Sequence, residues 1–161
     1  MEKWRRAGKI ASTCREWARA EVKPGVRIAH ILETVEGMMR KEGAQPAFPA
    51  QSSRNHIAAH YCSPPDDETV YEEGDCVKID FGVHVDGWVA DTATTIDLST
   101  DGRWSSLIQA SADALKGAIN TLGPGVPVRD VGAVVERIIT GAGFEPIRNL
   151  TGHGVDRWKV H

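Results

Sequence analysis

Val77-Lys78-Ile79-Asp80-Phe81-Gly82-Val83-His84-Val85, Asp86-Gly87 and Trp88-Val89-Ala90-Asp91-Thr92-Ala93-Thr94-Thr95-Ile96 read as two strands and the turn between them. Asp-Gly between two β-rich runs is the strongest short hairpin signal. A two-residue turn pairs Val85 with Trp88. Counting back puts Gly82 opposite Asp91 and Asp80 opposite Ala93. Side chains alternate with a period of two, so Asp80, Gly82, Asp91 and Ala93 share one face. The other face carries Ile79, Phe81, Val83, Val85, Trp88, Ala90, Thr92 and Thr94, the surface a strand pair needs against helices. Two carboxylates on one face repel, and solvent, a shared proton, a basic group or a metal must compensate them. The small partners Gly82 and Ala93 favour a metal, since they leave room for a pair of ions about 3.5–4 Å apart. The plainer alternative is that Asp91 merely ends a strand or that a bulge shifts the register.

Histidines supply the next clue. His153 lies in Asn149-Leu150-Thr151-Gly152-His153-Gly154, a short strand-like run whose small residues allow close approach to the backbone. His60 and His161 are further candidates, while each histidine taken alone reads more often as a structural histidine. His30, His56 and His84 read as surface or supporting residues.

Before the hairpin, residues 3–22 place Trp4, Ala7, Ile10, Cys14, Trp17 and Ala18 at helical spacing, ended by Pro24-Gly25. Ile28, Ile31, Leu32, Val35, Met38 and Met39 mark a second helix stopping near Gly43. Residues 45–74 contain Pro46, Pro49, Pro64 and Pro65, and predict loops around one short strand at Ile57–Tyr61. After the hairpin come two helices, near 101–122 and 127–140. Sliding the chain over itself by one hundred residues aligns Pro24-Gly25-Val26 with Pro124-Gly125-Val126, and then Val35, Glu36, Gly43 and Pro46 with Val135, Glu136, Gly143 and Pro146. A duplicated unit of this kind predicts a second strand pair after Pro146, and the chain stops fifteen residues beyond it.

Composition sets the outer bounds. The 161 residues are 41% hydrophobic and 25% charged with net charge −3, an ordinary globular mixture that fits one domain. Charges of both signs are interspersed, which argues against a nucleic-acid partner or a membrane surface. Cys14, Cys62 and Cys76 are odd in number and lack a CxxC pair, so they read as reduced thiols of a cytoplasmic protein. No apolar run follows the charged N-terminus at signal or membrane-span length.

With these pieces assembled, the chain resembles the type-two branch of the methionine aminopeptidases within the pita-bread metallopeptidases, most like archaeal members. The resemblance rests on Ala47-Phe48-Pro49, Ile57-Ala58-Ala59-His60-Tyr61, the aspartates at 80 and 91, and Asn149-Leu150-Thr151-Gly152-His153 leading to His161. It implies an α/β pita-bread fold, a mainly antiparallel sheet covered by helices. It further implies that Asp80 chelates one ion, Asp91 bridges two, and His153 binds the second. His60 and His161 would hydrogen-bond the substrate around the scissile amide, and Phe48 would line the methionine pocket. The implied reaction is metal-assisted hydrolysis releasing the initiator methionine from nascent polypeptides whose next residue is small. Cobalt, manganese, iron or zinc would suit this oxygen-rich ligand set. The expected protein is cytoplasmic and, at full length, a monomer.

Family members continue with two glutamate ligands, which have no counterpart here. The 161 residues are therefore expected to be an incomplete catalytic domain that holds metals weakly and turns over little. Two rival readings remain. A proline-specific dipeptidase of the same fold would carry a large domain ahead of Ala58-Ala59-His60, where only about fifty residues stand. A metal-free binding module would lack Asp80, Asp91 and His153.

Overall fold

The structure, a computed structural model, describes residues 1–161. In chain order it contains α1 (Glu2–Glu21), α2 (Ile28–Lys41), β1 (Gln45–Arg54), β2 (Cys76–Val85), β3 (Trp88–Asp97), α3 (Ser105–Thr121) and α4 (Val128–Gly141). These fall into two compact units: Met1–Asp101 with His153–His161, and Gly102–Gly152.

In the first unit a three-stranded antiparallel sheet, ordered β1-β2-β3, is backed by α1 on β2 and β3 and by α2 on β1. The helical stripes explain why. Ala7, Ile10, Ala11, Cys14 and Ala18 recur every three or four residues and are buried. Ile28, Ile31, Leu32, Val35 and Met39 do the same in α2. Between the helices and the sheet they meet Val77, Ile79, Phe81, Val83 and Val85, the alternate residues of β2. Full burial of each large apolar side chain contributes about 1.5–3 kcal/mol. The chain leaves α2 through Gly43, whose φ of +69° lets the Gly43 N–H reach Arg40 O and the Ala44 N–H reach Met39 O, at 3.0 Å each. Of the three free cysteines Cys14 and Cys76 are buried, as small hydrophobes would be, and Cys62 is exposed.

The strand expected at Ile57–Tyr61 is absent; β1 occupies Gln45–Arg54 instead. Prolines argued against a strand there, but β1 is an edge strand, and its register shifts between Pro46 and Phe48 and between Phe48 and Gln51. An edge with bulges tolerates residues that cannot donate to a ladder. Ile57–Tyr61 cannot extend, because His60 sits at φ +68°. It is a loop held to β1 by the Ser52 N–H donating to Tyr61 O at 2.9 Å and the Tyr61 N–H donating to Ser53 Oγ at 3.3 Å.

The second unit packs α3 against α4. They pack closely at Gly117, where a Cβ would meet Ile138 Cδ1 at 2.5 Å and Val134 Cγ1 at 3.0 Å. The hundred-residue repeat is visible in the backbone. Helix α4 spans Val128–Gly141 as α2 spans Ile28–Lys41, and the flanking glycines 25, 125, 43 and 143 all have positive φ. Burial differs between the copies. Six residues of α2 are buried, whereas α4 has none, its stripe remaining half-covered. Residues 149–154 form no strand, and pairing in the tail is confined to the Asp156–Lys159 bridge.

A polar knot ties β1 to the loop before β2. Asp75, 5% exposed, accepts from Arg54 Nη1 at 3.0 Å, Asn55 Nδ2 at 2.7 Å and the Glu72 N–H at 2.9 Å. Burial alone would raise its carboxyl, but these donors outweigh burial and hold it below the usual carboxylate range. The native state then binds fewer protons than the unfolded chain. This stability is present above the unfolded value, about 4, and is lost as pH falls through the native one. Asp75→Asn should cost about 1–3 kcal/mol at neutral pH. Urea melts at pH 3 and pH 7 should show the difference between parent and variant shrinking at the lower pH.

Candidate active site

The hairpin turn has Asp86 at φ +52° and Gly87 at φ +82°, the two left-handed residues of a type I′ turn. Its twist matches the flanking strands, and Val85–Trp88, Gly82–Asp91 and Asp80–Ala93 are the observed pairs. Asp80 and Asp91 thus stand diagonally on one face, opposite the core face that carries Ile79, Phe81 and Val83.

Both carboxyls are raised above their ordinary values. For Asp80 burial is the main cause, followed by the Asp91 charge, while His60 and His153 pull the other way. For Asp91 burial again leads, opposed by His153, the Thr92 N–H and His161. Each of the three histidines singled out from the sequence therefore lies within electrostatic reach of at least one of the two aspartates. His60 arrives from the loop after β1 and the other two imidazoles from the tail. His153 Nε2 stands 3.4 Å from Asp91 Oδ2, and its ring lies 5.6 Å from that of His161 at 62°.

As arranged, no three acidic, imidazole or thiol side chains enclose a common ion position. The donor chemistry nevertheless suits a divalent cation. Two crowded carboxylates gain from a positive charge between them, and His153 directs Nε2 at Asp91 while Nδ1 contacts Gly154 O at 3.1 Å. The face is open, with side-chain exposures of 28% for Asp91 and 40% for His153.

The expected role of Gly82 needs correction. Its missing side chain does not leave space beside Asp91: a Cβ there would stand 2.4 and 2.8 Å from two ring atoms of Phe48 and 2.9 Å from Ala47 Cβ. Phe48 pairs with Gly82 across β1 and β2, so its ring fills the position. The glycine thereby seats the Phe48 ring on the strand position opposite Asp91.

His84, read from the sequence as a surface or supporting residue, is a supporting one, and Arg157 and Trp158 escaped the sequence reading. His84 caps the hairpin, its Nδ1 accepting from the Gly87 N–H at 3.2 Å. Trp158 and Arg157 dock on the same turn. An aromatic and a cation shortly before His161 were the available signal, but only the folded tail shows where they land. His30 and His56 are exposed and make no contact with the aspartates.

A helix-backed antiparallel hairpin with paired carboxylates, approached by imidazoles from a loop and a tail, offers a donor set of the kind metallopeptidases use. The chain belongs to metallopeptidase family M24, whose family model matches residues 2–161. It is 45% identical to a methionine aminopeptidase of Methanothermus fervidus, covering 100% of this chain and 92% of that protein. It is 44% identical to the methionine aminopeptidase of Pyrococcus horikoshii, covering 100% of this chain and 54% of that one. The crystal structure of methionine aminopeptidase from Thermotoga maritima superposes with a TM-score of 0.90 at 30% identity, covering 97% of this chain and 66% of that chain. The chain spans about half the length of several of the curated relatives it matches. No helix is long and apolar enough to cross a membrane.

Gly82→Ala should force Phe48 off its seat and destabilise the sheet by about 1–3 kcal/mol. Combining it with Phe48→Ala should cost less than the sum of the two single changes. Chemical denaturation of the four proteins of this double-mutant cycle measures the coupling.

Proposed function

We propose that these residues form the metal-binding and substrate-facing part of an aminopeptidase that removes the initiator methionine from nascent polypeptides. One observation carries the reading: Asp80 and Asp91 share a face, with His153 Nε2 at 3.4 Å from Asp91. In this reading Asp80 holds one divalent ion, Asp91 bridges two and His153 holds the second. Divalent ions, when bound, supply Lewis-acid chemistry for hydrolysis of the first peptide bond. Manganese, cobalt, iron and zinc all suit the ligand set.

The remaining residues act on the substrate. His60, from the loop after β1, and His161, from the tail, hydrogen-bond the peptide around the scissile amide. Phe48, seated over Gly82, lines the pocket for the methionine side chain, which gains from contact with an aromatic wall. The preference for a small second residue in the substrate is part of the same reading. The setting proposed is the cytoplasm, the acting form a monomer, and residues 1–161 part of a single catalytic domain.

Charge arithmetic bears on the activity of the 161-residue polypeptide. Asp80 and Asp91 offer two negative charges to four positive ones, so metal binding by this stretch alone is weak. Methionine release from Met-Ala-Ser, with manganese or cobalt added, should be at or near background for the 161-residue polypeptide. Saturable manganese binding should still be measurable by calorimetry, and Asp91→Asn should weaken it at least about tenfold, as loss of a bridging ligand requires. Manganese binding untouched by that substitution would remove the basis of the proposal. Peptide selectivity separates the aminopeptidase reading from a dipeptidase: Met-Ala-Ser should shift the His60 and His161 resonances, and an Ala-Pro dipeptide should not.

A further inference from the structure

The tail carrying His153 and His161 is not anchored by a strand. It is fastened instead to the tip of the hairpin that carries Asp80 and Asp91. The Trp158 N–H donates to Gly87 O at 2.8 Å. The indole lies over Gly87 so closely that a Cβ there would stand 2.5 Å from two of its atoms. Its ring centre is 5.0 Å from that of His84, which itself caps the turn. Arg157 grips Asp86 twice, through Nε to the backbone oxygen at 3.0 Å and through Nη2 to Oδ2 at 2.9 Å. Lys3 of α1 reaches the same carboxylate oxygen at 2.6 Å.

The backbone shows that this contact is held against a local preference. Trp158 has φ +61°, a conformation bulky residues avoid, and the Asp156–Lys159 bridge closes the tight turn around it. Yet 66% of Trp158 is exposed, so the ring does not serve the hydrophobic core. A strained, exposed tryptophan that adds nothing to the core but closes on a turn acts as a fastening.

We infer that Arg157 and Trp158 are positioning residues, a latch on Asp86-Gly87 that sets where His153 and His161 stand relative to Asp91. His153 lies five residues before Trp158 and His161 three after it, so one docking point places an imidazole on each side. The turn has a double duty in consequence. Gly87 supplies the left-handed residue that sets the strand register, and its bare Cα is the seat for the indole. The inference rests on the reading of His153 and His161 as ion- and substrate-facing groups, but its geometry can be tested without any metal.

The experiment is imidazole and amide nuclear magnetic resonance of the metal-free 161-residue polypeptide and its Trp158→Ala, Trp158→Phe and Arg157→Gln variants. Trp158→Ala should abolish the ring-to-ring contact of His153 with His161 and move both sets of imidazole resonances toward free-peptide values. The Arg157 amide and its neighbours in the tail should exchange at least about tenfold faster, while His30 on α2 and the melting temperature stay as in the parent. Trp158→Phe, which keeps a ring over Gly87, should restore the imidazole positions, and Arg157→Gln should give an intermediate displacement. Unchanged His153 and His161 resonances in Trp158→Ala would overturn the latch. Should that variant disturb the sheet, Arg157→Gln decides by the same resonances. A separate manganese titration of the parent reads the metal assignment: failure to broaden His153 counts against that assignment, while the latch stands or falls on the metal-free spectra alone.

Discussion

Everything in the first unit depends on the register of one hairpin. A slip of a single residue between β2 and β3 would break the pairs Gly82–Asp91 and Asp80–Ala93 and move the two carboxylates out of their diagonal. It would also misalign the apolar row Ile79, Phe81, Val83 against its partners under α1. Core and candidate site are opposite faces of the same two strands, so the packing that stabilises the sheet also enforces the site's geometry. The type I′ turn at Asp86-Gly87 and the helices packed on one face both select that register.

The other face carries the tension. Burial raises the proton affinity of both Asp80 and Asp91, the Asp91 charge adds to it for Asp80, and imidazoles from outside the sheet oppose it, helped at Asp91 by the Thr92 N–H. Those imidazoles come from segments with little regular structure, the loop through His60 and the tail through His153 and His161. A rigid carboxylate platform with irregular partners is useful only if the partners are tied down. Tyr61 does this for the first, by bonding back to Ser52 and Ser53, and the Trp158–Gly87 contact does it for the second.

Local chemistry was enough to read much of this. The helices follow from three- and four-residue apolar spacing, and their ends from Gly25, Gly43, Gly125 and Gly143, which all adopt positive φ. The mistaken strand at Ile57–Tyr61 shows where such reading fails. A proline is judged by its own ladder, and whether the ladder needs its N–H depends on which side of the strand has a neighbour. That is a property of the sheet, so β1 at Gln45–Arg54 could not be seen from its residues. Gly82 shows the same limit: its smallness was legible, but the occupant of the space, Phe48, was decided by the bulged pairing of β1 on β2.

What the sequence determined by itself was therefore the set of objects: the helices, the hairpin and its register, and the two acids on one side of it. Each of these is set by neighbours within a few residues, through backbone dihedral preference and side-chain periodicity. Only the tertiary structure decided which distant groups meet those acids. The approach of His153 to Asp91, the seating of Phe48 on Gly82 and the docking of Trp158 on Gly87 join residues dozens of positions apart. Such contacts are chosen by packing and charge once the chain has closed on itself, and no local preference encodes them.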